Sequence, residues 1–176
     1  MNILITILLI VLGLIALLLA VALFMKRNHY VQREIIINAP KQKVFDYIKL
    51  LKNQDEFNKH AMTAPDRKKE FKGTDGTVGY IYAWSGDKNA GVGEKEIMNI
   101  VEGQSIEMEI RFVKPMVATA RIIMETQPLS DNQTKLRWSN AGTLKYPVNI
   151  FIPTMQKHVA KDMDSSLATL KNLLEK

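Results

Sequence analysis

The hydrophobic positions of this chain switch period as the sequence runs. From Ile3 to Met25 they are continuous, ILITILLIVLGLIALLLAVALFM, with no charged residue and only Thr6 and Gly13 off the aliphatic theme. A bilayer core takes about 20 apolar helical residues. At about 1.5 Å per residue this run reaches roughly 35 Å, so a transmembrane helix is predicted over 3–25. Alternation follows: Val31, Arg33, Ile35 and Ile37 take one face and Gln32, Glu34, Ile36 and Asn38 the other, which predicts a strand. "NAP" closes that strand, and Pro40 suits the first turn of a helix, where its missing N–H is not needed. Val44, Phe45, Ile48 and Leu51 then recur at helical spacing, and Gln54–Met62 reads as a second short helix ended by "TAPD".

From Arg67 to Lys145 the period is two. The predicted strands are Arg67–Gly73, Val78–Ser85, Val92–Val101, the run around Ile106, Met108, Ile110 and Phe112, Val117–Thr126, and Lys135–Leu144. Gly86–Gly91 is predicted as a turn, and the short connections imply an antiparallel meander. Ile152, Met155, Val159, Met163, Leu167, Leu170 and Leu174 return to a helical period, with Pro153 starting or kinking that helix. Strands this regular need a layer to cover one face. The economical α+β arrangement is a curved antiparallel sheet wrapped around the long C-terminal helix, with two short helices after the first strand. Such a wrap closes incompletely, so a space between sheet and helix is expected.

Charge sets a direction. All 24 Lys and Arg lie after Met25, and Lys26, Arg27 and Arg33 follow the apolar run directly. The positive-inside rule then puts the soluble part, about residues 28–176, on the cytoplasmic side of a single-pass anchor. A cleaved signal peptide is the competing reading, with "AVA" at 20–22 as its cleavage site. The run has no Lys or Arg ahead of it and exceeds the usual apolar core of about 7–15 residues, which favours a retained anchor. The formal charge of +6 is moderate, and the one dense cluster, "RKKEFK" at 67–72, reads as an edge strand protected by Lys. With no Cys in the chain, thiol nucleophiles and Cys-ligated metals are excluded.

Four segments together resemble a known group: EIIINAPKQKVFDYIKLLKNQDEF (Glu34–Phe57), GTVGYIYAW (Gly76–Trp84), TKLRWSNAG (Thr134–Gly142) and DMDSSLATLKNLLEK (Asp162–Lys176). The chain is similar to the START-like, helix-grip superfamily SRPBCC, and within it to polyketide cyclase/dehydrase-like proteins. The resemblance covers essentially the whole of residues 28–176. Phe57 stands where family members commonly carry Trp, a departure that keeps an apolar aromatic. The resemblance implies a helix-grip fold and a hydrophobic guest between sheet and helix. It spans carriers, receptors, cyclases and chaperone activators, so it informs fold more than function.

Tyr80, Tyr82 and Trp84 leave one face of the aromatic strand. They face either a filled core or a ligand cavity; apolar neighbours argue against a nucleic-acid platform. If a cavity, its lining is expected to include Tyr80, Tyr82, Trp84, Met98, Met108, Phe112, Met124, Trp138, Met155, Val159 and Met163. Phe57 and His60 join them, His60 lying where entrances open in the resembled family. This is a Met-rich, aromatic wall suited to an elongated apolar guest, a lipid or isoprenoid-like molecule. No catalytic motif, metal set or cofactor loop is present; Glu94, Glu96, Glu107 and Glu109 read as the wet face of the sheet, and His158–Asp162 as a surface pair. The expected partners are a hydrophobic small molecule or lipid and the membrane, with no nucleic acid, metal or cofactor. The leading expectation is a membrane-tethered binding module; a cyclase- or dehydratase-like enzyme using the same cavity comes second, and a protein-interaction domain third. A His, Asp or Glu with a shifted pKa beside Tyr80 or Tyr82 in the cavity would favour the enzyme, whereas Tyr and Trp tips alone would favour the binder.

Overall fold

The computed structural model describes residues 2–87 and 90–176. Helix α1 (Ile3–Phe24) is followed by β1 (Asn28–Ile37), α2 (Lys41–Lys49), and two single-turn helices, α3 (Gln54–Phe57) and α4 (Lys59–Met62). Strands β2 (Lys68–Lys72), β3 (Ile81–Ser85), β4 (Val92–Val101), β5 (Ser105–Lys114), β6 (Ala118–Ser130) and β7 (Gln133–Thr143) come next. A 3₁₀ turn (Val148–Phe151) leads into the long helix α5 (Ile152–Leu174). The strands form one antiparallel sheet in the order β1-β7-β6-β5-β4-β3-β2. The predicted α+β wrap around α5 is the observed architecture.

Local chemistry explains where the elements begin and end. The predicted helix over Gln54–Met62 is broken at Asn58, whose backbone is extended and whose side chain accepts a hydrogen bond from the His60 N–H at 3.0 Å. Asn is a strong N-cap, so the second turn starts afresh there. Pro153 occupies the first turn of α5 and does not kink it. Strand β6 runs past its predicted end to Ser130 through Pro128. Pairing with β5 stops at Ser105–Glu125, so the missing Pro128 N–H breaks no ladder bond on that side. The predicted turn Gly86–Gly91 includes Lys88 and Asn89, which lie outside the described residues. All five residues of β2 are exposed at the sheet edge, as expected for a strand guarded by Lys.

The sheet has two chemically distinct faces. Outward, Arg111 bonds Glu94, Glu96 and Glu109, while Arg121 pairs with Glu107. Inward, Ile97, Ile106, Met108, Met124 and Leu136 are fully buried against α2 and α5. Gly93 sits on this inner face because nothing larger fits. A Cβ there would stand 2.7 Å from the Trp84 ring and 2.7 Å from the Arg111 carbonyl.

Helix α1 is long and apolar enough to cross a membrane, and only Ala22 of it is buried. Its C-terminal carbonyls would have no partner within the helix. Fully buried Asn149, in the 3₁₀ turn, donates its side-chain N–H groups to the Ala22 carbonyl at 2.7 Å and the Met25 carbonyl at 3.1 Å. The Leu144 N–H bonds the Arg27 carbonyl at 2.8 Å. The end of α1 is therefore fastened to the sheet domain.

Gly93→Ala is expected to destabilise the fold by about 1–3 kcal/mol, the usual cost of forcing atoms into a packed site. Chemical denaturation followed by Trp fluorescence measures it; an unchanged midpoint would show that Trp84 moves aside freely.

Candidate functional site

A cavity of about 190 Å³ lies between the inner face of the sheet, α3–α4 and the middle of α5. An engineered cavity of about 150 Å³ takes up benzene, whereas drug-sized ligands occupy roughly 300–1,000 Å³. The space fits one ring with a short substituent, and an intact lipid is too large to be enclosed.

Its walls differ in polarity according to strand. Ile110 and Phe112 on β5, Ile122 on β6, Trp138 on β7, and Val159 and Met163 on α5 supply the apolar side. Tyr82 on β3, Lys95 on β4, Arg67 ahead of β2, Gln54 and Asp55 on α3, and His60 on α4 supply the polar side. Asn140, on β7, is a polar exception whose side-chain oxygen lies 3.1 Å from Nε2 of buried His29. This His29 differs from the solvated residue that its place near the apolar run suggests. Asp162, exposed on α5, stands at the rim.

The polar side is built around one carboxylate. The Tyr82 hydroxyl donates to Asp55 Oδ1 at 2.7 Å and accepts from Arg67 at 2.8 Å. Arg67 also reaches Asp55 Oδ1 at 3.0 Å, and Lys69 reaches Oδ2 at 2.8 Å. Burial pushes the Asp55 carboxyl up, but the bonds from Lys69 and Tyr82 and the charges of Lys69 and Arg67 outweigh it and hold the group below its usual range. Asp55 is thus an ionised anchor and a poor general base. Burial and the Asp55 bond push the Tyr82 hydroxyl far upward, so it stays protonated. The Arg67 guanidinium lies 5.4 Å from both the Tyr82 and Trp84 ring centres, a cation–π geometry.

Lys95 is only 9% exposed. Among the described residues its one hydrogen bond goes to Gln54 Oε1, at 2.6 Å. Burial, aided by the Arg67 charge and opposed by Asp55, brings it down to about 8. His60 packs edge-on to Trp84 and Phe112, each 6.3 Å away between ring centres. Burial, then the charges of Arg67 and Lys95, lower its pKa against the pull of Asp162, so it is neutral near pH 7. His60 Nε2, Arg67 Nε and Trp138 Nε1 are buried with no hydrogen-bond partner among the described residues.

The residues named from sequence divide. His60, Tyr82, Trp84, Phe112, Trp138, Val159 and Met163 are brought together around the cavity. Phe57, Met108 and Met124 are packed into the solid core, with Phe57 edge-on to Trp138 at 6.3 Å. Tyr80 is buried too, its ring stacked on Phe71 at 6.4 Å. Met155 lies outside the cavity, in the first turns of α5. Met98 points outward and is 44% exposed, which corrects its expected inward placement. Strict alternation groups it with Glu94 and Glu96, and a bulge between Ile97 and Asn99 leaves it unpaired. The wall is not Met-rich, because among the described residues Met163 is the only Met that lines it.

Sequence reasoning missed the charged members. Lys95 was legible: if Glu94 and Glu96 face water, the residue between them faces in. Arg67 carried no such signal, since its cluster "RKKEFK" is solvent-facing from Lys68 onward. His158, by contrast, lies on the surface with Nδ1 2.8 Å from the Thr154 carbonyl.

No family model and no curated protein sequence matches the chain. Solved structures do match in fold. Truncated norcoclaurine synthase from Thalictrum flavum is 13% identical, with a TM-score of 0.62 over 86% of this chain and 97% of its own. The Aha1 dimer from Colwellia psychrerythraea is 14% identical, with a TM-score of 0.58 over 84% and 96%. Ara h 8.0201 is 12% identical, with a TM-score of 0.56 over 84% and 97%. The chain therefore shares the helix-grip fold, and identities this low speak to the fold alone.

The buried lysine fixes a pH dependence. Between about pH 8 and the ordinary lysine value near 10.4, unfolded Lys95 keeps its proton while folded Lys95 has released it. The unfolded state binds more protons, so stability rises with pH across that window, by about 3 kcal/mol at most. Above about pH 10, Tyr47 and Tyr80, each pushed up to about 12 by burial first, reverse the trend. Lys95→Met is expected to be more stable than the wild type at pH 7 and to lack the rise between pH 8 and 10 in denaturant titrations. A rise that persists in the variant would assign it elsewhere.

Proposed function

We propose that this protein is a membrane-tethered helix-grip domain that hosts a small, mainly apolar molecule between its sheet and α5. The observation that carries this reading is the cavity itself. Its lining is mostly apolar with a few polar groups gathered at one end, the form that small-molecule sites take. Its volume narrows the expected guest from a lipid or isoprenoid to a single-ring or short-chain molecule. Tethering suits an apolar guest, which concentrates in the bilayer. The anchor reading is supported by the length and apolarity of α1, and the cytoplasmic orientation by Lys26, Arg27 and Arg33 behind it.

A second reading, a cyclase- or dehydratase-like enzyme, is favoured by the titratable groups beside Tyr82. Lys95 at about 8 falls in the range where an amine works as an acid or base near neutrality. The strongly ionised Asp55 is not suited to that role. A protein-interaction role has no comparable observation behind it.

Native mass spectrometry of the full chain, released from nanodiscs of host-cell lipid, is expected to detect one small molecule per chain. Val159→Phe, which fills the cavity from α5, is expected to abolish it. Retention of nothing by the wild type from any extract would remove the host reading.

Orientation is separately testable because the chain has no Cys. A Lys68→Cys variant places one thiol on the exposed edge strand β2. In intact cells it is expected to resist a membrane-impermeant maleimide and to react after lysis; labelling of intact cells would reverse the assigned side.

A further inference from the structure

We infer that the guest carries an anionic oxygen head, a carboxylate above all, seated against Lys95, Arg67 and His60 with its apolar body toward β5–β7 and α5. This deepens the host reading and rests on it.

Three observations converge. The first is the charge count on the polar side of the cavity. Lys95 and Arg67 are both cationic and each is 9% exposed. The carboxylate among them is Asp55, and its oxygens are already engaged by Arg67, Tyr82 and Lys69. Asp162 is at the exposed rim, where water screens it. Among the described residues, one positive charge inside the cavity is left without a counter-charge, which matches a monoanion. A buried cation without a counter-charge is costly, and a guest carboxylate would supply it.

The second observation is unfilled donor capacity at the same end. An ammonium group has three N–H donors, and Lys95 uses one, to Gln54. Arg67 Nε is a buried donor without a partner among the described residues, and His60 Nε2, likewise buried and unpartnered, donates in the Nε2–H tautomer. All three groups line the same cavity. A carboxylate has two oxygens and about four acceptor sites, so one head group answers several of these donors.

The third is the gradient across the sheet. The cations come from β4 and the segment ahead of β2, and Ile122, Trp138 and Met163 come from β6, β7 and α5, beyond Ile110, which pairs with Lys95 across the β4–β5 ladder. A guest with one charged end and one apolar end aligns with that gradient; a uniformly apolar guest would place carbon against an unpaired ammonium. The volume of about 190 Å³ limits the body to one ring or a short chain.

The probes are benzoate, 3-phenylpropanoate and octanoate, each compared with its primary amide, which keeps the shape and removes the charge. They are titrated calorimetrically into the full chain in phosphatidylcholine nanodiscs, with empty discs as blanks. At about pH 7 at least one acid is expected to bind about tenfold or more tightly than its amide. That ratio is expected to fall toward one in Lys95→Met. A second measurement does not depend on how the variant folds: in the wild type the ratio is expected to shrink between about pH 7 and pH 9.5, as Lys95 loses its proton. Of the groups facing Lys95, His60 on α4 and Tyr82 on β3 stay neutral across that range. The others are the guanidinium of Arg67 and the carboxylates of Asp55 on α3 and Asp162 on α5. Amides that bind as well as their acids would overturn the anionic head and leave the host reading standing. An acid preference that survives in Lys95→Met, or that is flat with pH, would overturn it as well. If neither acids nor amides bind, the host reading falls and this inference with it.

Discussion

Everything distinctive about this molecule follows from covering the concave side of a seven-stranded sheet with one long helix. Helix α5 packs along β1 at one edge, and α2 covers the middle of the sheet over β5–β7. The β2–β4 side is left to two single turns, α3 and α4, which are too short to fill it. The shortfall is the cavity. Its position under α3 and α4 explains why its lining mixes strand residues, whose direction is set by alternation, with residues on short turns, whose direction is set by local caps such as Asn58.

That thin cover has an electrostatic consequence. Where the sheet is closed by α2 and α5, the interior is Ile, Leu, Met and aromatic side chains without charge. Under α3 and α4 the interior carries Asp55, Arg67 and Lys95. A knot of hydrogen bonds among Asp55, Arg67 and Tyr82 makes this tolerable for two of the three ions. Among the described residues Lys95 is held by Gln54 alone, and burial, with the Arg67 charge beside it, lowers its pKa. The same few residues thus set the polarity of the cavity, its pH response and its choice of guest. Asn149 plays a quieter part at the other end of the chain's logic, satisfying carbonyls at the end of α1 and so giving the apolar helix a fixed seat on the domain.

The sequence by itself determined the order of elements, the antiparallel meander, the long apolar helix and the outward Glu face, because hydrophobic period is a local property that survives without knowledge of neighbours. It nominated Tyr82, Trp84, Phe112 and Trp138 correctly as inward residues. Only the tertiary structure separated the inward residues that reach empty space from those that meet other side chains, such as Phe57, Tyr80, Met108 and Met124. That depends on what the facing layer fails to cover. The outward turn of Met98, by contrast, was legible, because alternation along β4 already places it with Glu94 and Glu96. The tertiary structure alone brought Arg67 and Lys95 to Asp55. These three are distant in sequence, and their meeting depends on how far the sheet curls beneath α3, a global curvature that no local pattern encodes.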